Sequence, residues 1–456
     1  MSIERVTLFH TNDIHSGFET WAKLVAYIKK HRDPNSVYLE LGDHADRSHL
    51  MTEATAGKGN TLLLNEANVD YATIGNNEGI TFSHEELDTL YDQANFSVLV
   101  SNLFKRNGER PKWAKPYEIH HTDNGVKIAF IGATAPFSQF YKQLNWEITP
   151  PIDAIKEWVG EVRNKVDVVV VLSHLGLFRD EELAEKVEGI DVILGAHTHH
   201  VLEKGKRRYG TLIAQAGKHG AFLGKITIDV DMTTHSVVAD KAELIDPRSL
   251  EVEDPQTVEL LEQLLIDAQK VLNEKVATLP TSLRVSWQDE SEAPQLLCDA
   301  LTEWCKESIG MMNAGVLLDT FEKGPVTKRD IHKSCPHPIN PCVVELSGEA
   351  LRKTIIRAFS SEMRTLALKG FGFRGKILGR MIFTGIEVEL DQNEQVLDIL
   401  IEGRPIELTK IYTIATLDMY TFGHLYPAIA DSKKKTYYMP ELLRDVLRWK
   451  LGQIWA

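Results

Sequence analysis

The chain has 456 residues, 43% hydrophobic and 25% charged, with a formal net charge of −14. That length exceeds one ordinary core and calls for two or three domains at roughly 100–200 residues each. The negative balance argues against a general nucleic-acid partner, and no apolar run approaches the roughly 18 residues of a membrane span.

Taken in chain order, β-type runs alternate with helical stretches from residue 1 to about 245. Strands are expected at 5–9, 37–41, 70–74, 97–101, 127–132, 167–172 and 191–195, and helices at 19–31, 83–94, 152–164 and 179–188. This alternation predicts a layered α/β domain with a mostly parallel sheet, which the runs at 211–216 and 223–230 extend or close. Two prolines and a charge cluster at 245–255 mark a connection. Helical spacing of Leu261, Leu264, Leu265, Ala268, Val271, Leu272 and Val276 then predicts a long linking helix. The expected division is 1–245, a linker and helix at 246–277, and a mixed α+β domain at 278–456, with helices near 292–308, 347–360 and 440–451 among strand-like runs such as IFTGIEVELD.

The amino terminus carries Glu4 and Arg5 and contains no apolar signal region, so the expected compartment is the cytoplasm. Cys298, Cys305, Cys335 and Cys342 match no C-x-x-C spacing and read as buried free thiols. His337 between the second pair leaves a small metal site as the alternative.

Five of the expected strands end in residues suited to metal ligation: Asp13 and His15, Asp43, Asn76, His174, and His197 with His199. Carboxyl ends of parallel strands share one edge of a sheet, where residues distant in sequence converge. Singly, each has an ordinary explanation: Asp-x-His arises by chance, Gly-Asp is common turn chemistry, and a lone histidine after a strand is usually structural. Five compatible strand ends in order reverse that judgement. A mixed carboxylate and imidazole set suits Zn, Mn or Fe better than Ca, and among Zn, Mn, Fe and Mg geometry and supply decide as much as the ligands do. Two divalent ions about 3.5–4 Å apart, bridged by Asp43, would grip a phosphoryl group and activate a water, so phosphoester hydrolysis by a metal-bound hydroxide is the expected reaction.

HTNDIHSGF at 10–18, LGDHAD at 41–46, IGNNE at 74–78, SHLG at 173–176, GAHTHH at 195–200 and QAGKHGAFLGKITIDVD at 215–231 resemble, in order, the calcineurin-like metallophosphoesterases, and within them the 5′-nucleotidase/UDP-sugar hydrolase family. NAGVLLDTFEKGPVTKRDI at 313–331, VVELSGEAL at 343–351 and IYTIATLDMY at 411–420 resemble that family's C-terminal domain. The resemblance implies a four-layer α/β/β/α sandwich joined by a helix to an α+β substrate-binding domain. It implies one metal site of Asp13, His15, Asp43 and His199 and another of Asp43, Asn76, His174 and His197. The implied partner is a small phosphorylated substrate, most simply a nucleotide.

Departures from the family pattern are specific. Asn77 occupies the position of its catalytic histidine and Ile80 that of the aspartate orienting it. Leu318 replaces a phosphate-binding arginine, and Met419 and the region of Arg380 replace the two base-stacking aromatics. Asn313, Gly315, Phe371, Phe373, Tyr420 and Phe422 are the remaining candidates for substrate contact. A catalytically weakened nucleotide- or phosphate-binding protein is therefore the main alternative, with a cyclic nucleotide phosphodiesterase or nucleotide-sugar hydrolase behind it. A nuclease is disfavoured by charge, since Lys204, Lys206, Arg207 and Arg208 form only a short basic stretch.

Overall fold

Val6 and Leu8 of the strand Ile3–Thr11 enter one apolar cluster while Phe9 enters another on the opposite face, the period-two pattern of a strand buried on both sides. In the computed structural model, which describes residues 2–393 and 395–456, this strand sits centrally in a seven-stranded sheet. Parallel partners continue from it through Ser36–Glu40, Tyr71–Ala72, Ser97–Leu99 and Ala114–Lys115, and the antiparallel strands Leu223–Asp231 and Ser236–Ile245 close its other side. A six-stranded sheet has Val168–His174 at its centre, parallel to Lys127–Thr134 and Val192–Gly195. Antiparallel edges at Tyr117–His121 and Lys206–Arg208 finish it.

The inner faces of the two sheets share one core, to which Val37, Leu39, Phe130, Val170 and Leu194 all belong. Outside the second sheet lie the helices Pro151–Val162 and Leu177–Lys186, packed through Ile155, Val159 and Leu183. Outside the first lie Trp21–His31, Lys58–Glu66 and Pro255–Leu272, packed through Leu24, Leu63, Leu264 and Ala268. The result is the four-layer α/β/β/α sandwich. The mostly parallel strands expected from periodicity are divided between the two sheets, and the strand Ser236–Ile245, with one exposed face, carries too little apolar pattern to be expected.

The chain divides into two compact units, one ending at Ala268 and one spanning Gln269–Ala456. The second holds a five-stranded mixed sheet in the order Met381–Thr384, Gly310–Asn313, Ile411–Leu417, Pro341–Ser347, Lys435–Tyr437. The helices Glu292–Trp304, Gly348–Ala358 and Leu443–Trp455 belong to the same unit. Two local readings are corrected. The linking helix ends at Leu272, and Val276 lies instead on the strand Lys275–Leu279 paired with Gly324–Thr327. IFTGIEVELD is two strands in different sheets, broken at Gly385, whose φ is +68°. All four cysteines are free and buried, and among the described residues none joins a metal-binding cluster.

Candidate metal centre

Each expected ligand of the first unit lies where a strand gives way to a loop. Asp13 and His15 follow Ile3–Thr11, Asp43 follows Ser36–Glu40, and His197 and His199 follow Val192–Gly195. Asn76 opens the short helix Asn76–Thr81, and His174 ends Val168–His174. Five of these seven, Asp13, His15, Asp43, His197 and His199, hold φ between +47° and +71°. Such left-handed backbone is uncommon outside glycine, costs about 1–3 kcal/mol per residue where it is strained, and clusters at functional sites.

Close backbone approach fixes the loops. Gly42, at φ +85°, packs so tightly on the backbone of Gly75 that a Cβ at either position would collide. Glu78 then clamps both loops: its carboxylate accepts from the backbone N–H groups of Asp43 (2.9 Å), Gly75 (2.9 Å) and Ala45 (2.8 Å).

Two groups of potential ligand atoms result, Asp13 with His15 and His199, and Asp43 with His174 and His197, each within 4.8 Å of one another. The groups adjoin: His15 Nε2 lies 3.6 Å from Asp43 Oδ2, and His174 Nε2 lies 3.9 Å from Asp13 Oδ1. Asp13 receives the backbone N–H of His197 on both oxygens (3.1 and 3.0 Å) and the Asn12 amide at 2.7 Å. Asp43 receives the backbone N–H and the side-chain amide of Asn77, both at 2.7 Å.

The donor set fits divalent ions on three observations. Asn76 Oδ1 and His174 Nε2 are buried and make no hydrogen bond among the described residues, a costly condition unless something else coordinates them. His174 Nδ1 bonds the carbonyl of Leu41 at 2.7 Å, so Nδ1 keeps its proton and the ring, once neutral, turns its Nε2 lone pair inward. Charge gives the third. Burial opposes a proton on His174, yet Asp43 and Asp13 outweigh it and raise its pKa to about 10. Burial likewise opposes a proton on His15, but Asp46 first, then Asp43 and Asp13, raise its pKa, while His174 and His15 hold Asp43 below the usual carboxylate range against burial. A proton on His174 thus supplies positive charge that the carboxylates require, and dications would supply it instead.

Asn77, at the position implied for the catalytic histidine, is buried and committed to Asp43, with its amide also 3.1 Å from His15 Nδ1. Asn313, Phe373 and Tyr420 are buried within the second unit, where Asn313 Oδ1 accepts from the Tyr420 hydroxyl at 2.6 Å. Gly315 is also buried, and a Cβ there would meet the carbonyls of Ile377 and Leu378. Phe371 is 44% exposed, and its ring lies parallel to that of half-buried Phe422, the centroids 6.4 Å apart and the planes within 7°.

Sequence reasoning passed over several supports. Asp180 accepts from Ser173 Oγ and Gln215 Nε2, and Gln215 Oε1 accepts from the backbone N–H of His200, which ties the histidine loop to the helix Leu177–Lys186. His219 donates its backbone N–H to the Asp13 carbonyl and sets its ring 5.7 Å from that of His15. Asp46 lies beside His15 Nδ1. Asp46 lies in LGDHAD and His219 in QAGKHGAFLGKITIDVD, so closeness to the ligands in sequence is the signal that marks both, and it already makes His219 a minor candidate.

Comparison with known proteins agrees with this architecture. Residues 6–201 match the calcineurin-like phosphoesterase model, and residues 271–430 match the 5′-nucleotidase C-terminal domain. An uncharacterized metallophosphoesterase, YunD of Bacillus subtilis, is 46% identical over 99% of this chain and 100% of its own. The NAD nucleotidase of Haemophilus influenzae superposes with a TM-score of 0.69 at 15% identity, covering 99% of this chain and 97% of that one. A 5′-nucleotidase precursor from Thermus thermophilus superposes at 0.62 and 19% identity, covering 99% and 97%.

Proposed function

Because the chain belongs to the calcineurin-like metallophosphoesterases that carry a 5′-nucleotidase C-terminal domain, we propose that it is a two-metal hydrolase of phosphate esters, acting on nucleotides or related small phosphorylated compounds. The observation that carries this reading is the pair of adjoining ligand groups centred on Asp13 and Asp43. Asp13, His15, Asp43 and His199 would hold one ion, and Asp43, Asn76, His174 and His197 the other. Bound divalent ions, of which Zn, Mn, Fe and Mg suit these donors, supply Lewis-acid polarisation of the phosphoryl oxygens and lower the pKa of water.

The chain's own groups supply positioning. Backbone N–H donors from His197 and Asn77 orient both carboxylates, and the Asn77 side-chain amide is a neutral donor to Asp43. In the second unit, Phe371 and Phe422 offer parallel aromatic surfaces for a nucleobase, worth about 1–3 kcal/mol per stacked base, while Asn313, Gly315, Phe373 and Tyr420 are buried. Ion pairs of Lys206 with Glu181 and Arg207 with Asp240 neutralise the short basic stretch, which favours a small substrate over nucleic acid. Four free cysteines favour a reducing compartment such as the cytoplasm.

Asn77 and Leu318 favour a second reading, a phosphate-ligand binder with little turnover. A panel of mononucleotides, nucleotide sugars and cyclic phosphodiesters assayed with Mn²⁺ separates the two. Turnover well above an Asp43→Asn control is expected, and none above that control would sink the hydrolase in favour of the binder.

A further inference from the structure

Which nitrogen of His15 faces the centre is a matter of its tautomer, and the surroundings of the ring are unequal. Nε2 looks inward, 3.4 Å from His199 Nε2, 3.6 Å from Asp43 Oδ2 and 3.9 Å from Asp13 Oδ1. Nδ1 looks outward, 3.3 Å from Asp46 Oδ2, with the side chains of His15 and Asp46 only 10% and 3% exposed. Asp46 is itself fixed, its backbone N–H donating to Ser16 Oγ at 3.0 Å and its Oδ1 accepting from the Ser48 N–H at 2.9 Å. Backbone bonds from His15 to the Asp43 carbonyl (2.8 Å) and from Ser16 to the His44 carbonyl (2.9 Å) lace the two loops together. The approach of Asp46 to the ring is therefore built into the fold.

We propose, on the basis of the metal-centre reading above, that Asp46 is a positioning residue for His15: its carboxylate accepts the Nδ1–H and so presents Nε2 as the ligand atom. The competing neighbour is the Asn77 amide, 3.1 Å from Nδ1, and it has a shorter commitment to Asp43 at 2.7 Å. Were Nδ1 to accept from Asn77, its lone pair would face the Asp46 carboxylate, and the proton would move to Nε2, among the other ligands. That arrangement sets a lone pair against a carboxylate and removes an electron-pair donor from the centre. His174 solves the same problem with the Leu41 carbonyl. The two histidines reach one tautomer by different outer partners, a carbonyl for His174 and a carboxylate for His15. A carboxylate partner also makes the imidazole more basic and a stronger ligand, and losing such a partner typically costs 10–100-fold in metal affinity.

The full-length protein, labelled with ¹⁵N-histidine and loaded with Zn²⁺, allows a direct reading by long-range ¹H–¹⁵N correlation, with His15 assigned by its loss in His15→Gln. Nδ1 protonated and Nε2 bare is the expected pattern, and a protonated Nε2 would overturn the proposal. Calorimetric titration with Mn²⁺ adds the energetic test. Asp46→Ala, shown folded by its thermal melt, should weaken one of two binding events by about 10–100-fold, and Asp46→Asn, which keeps an acceptor, should recover most of that loss. A folded Asp46→Ala that binds both equivalents as tightly as wild type overturns the role of Asp46 alone. Wild type that takes up no Mn²⁺ overturns the metal centre and this inference with it.

Discussion

Asn77 is the residue at which chemistry and resemblance part. An amide donates a hydrogen bond but carries no charge, and here both of its donor groups serve Asp43. A lost donor to the developing oxyanion typically costs about 10²–10³ in rate. Restoring the imidazole alone should recover little, because Ile80 cannot orient it. Asn77→His with Ile80→Asp is expected to raise kcat by about 10²–10³ over wild type on the best substrate and to exceed Asn77→His clearly; equal rates for the two variants would remove the orienting role. Asp418 governs a different property. Burial pushes its carboxyl up to about 8, against partial relief from the backbone amides of Asn340 and Met419. Between pH 4 and 8 the folded chain therefore holds a proton that the unfolded chain, with a pKa near 3.9, has released. Stability from this group is complete below about pH 4 and falls as pH rises toward 8, by on the order of a few kcal/mol. Urea denaturation at pH 5 and pH 8 should show a larger loss for wild type than for Asp418→Asn, and identical losses would contradict the buried proton.

Local elements carried much of the fold and of the candidate site in the sequence, for a physical reason. A buried parallel strand is a continuous apolar run, as in Val168–His174, and in a parallel sheet the residues that leave such runs converge on one edge. The missing parts depend on partners far along the chain. Val276 keeps the helical period of the residues before it, and only pairing with Gly324–Thr327 makes its segment a strand. The left-handed φ of Asp13, His15, Asp43, His197 and His199 is equally invisible to periodicity, since it comes from loops wedged against one another. Tyr420 and Phe373, candidates for substrate contact whose ordinary role is core packing, are buried at 0% and 3% exposure, because ring composition alone does not say which face a segment turns outward. At this scale the loop bearing Phe371 makes a distinct prediction. Phe371→Ala and Phe422→Ala should each raise KM for a mononucleotide by about 5- to 150-fold, the equivalent of about 1–3 kcal/mol of stacking, while leaving hydrolysis of p-nitrophenyl phosphate unchanged. Equal losses on both substrates would place the rings in the core rather than against a base.

On the scale of the whole molecule, the division at Ala268 and Gln269 puts every candidate metal ligand in the first compact unit. A ligand that binds only the folded form stabilises it by RT ln(1 + [L]/Kd), about 2.7 kcal/mol at one hundred times Kd. For a unit of this size, at about 2–4 °C per kcal/mol, that corresponds to roughly 5–11 °C in melting temperature. Calorimetric scans with Mn²⁺ should therefore move the transition of the first unit upward and leave that of the second in place. The shift should also depend on pH in a fixed direction. His174, raised to about 10, holds a proton at neutral pH that a cation must displace, and His15 is shifted in the same direction, so binding releases protons and tightens as pH rises. Titrations in two buffers of different ionisation enthalpy measure that release, and scans at pH 6 and pH 8 should show the larger Mn²⁺ shift at pH 8. A shift confined to the second unit, or one that grows as pH falls, would mean that the cation binds somewhere other than the strand-end carboxylates and histidines.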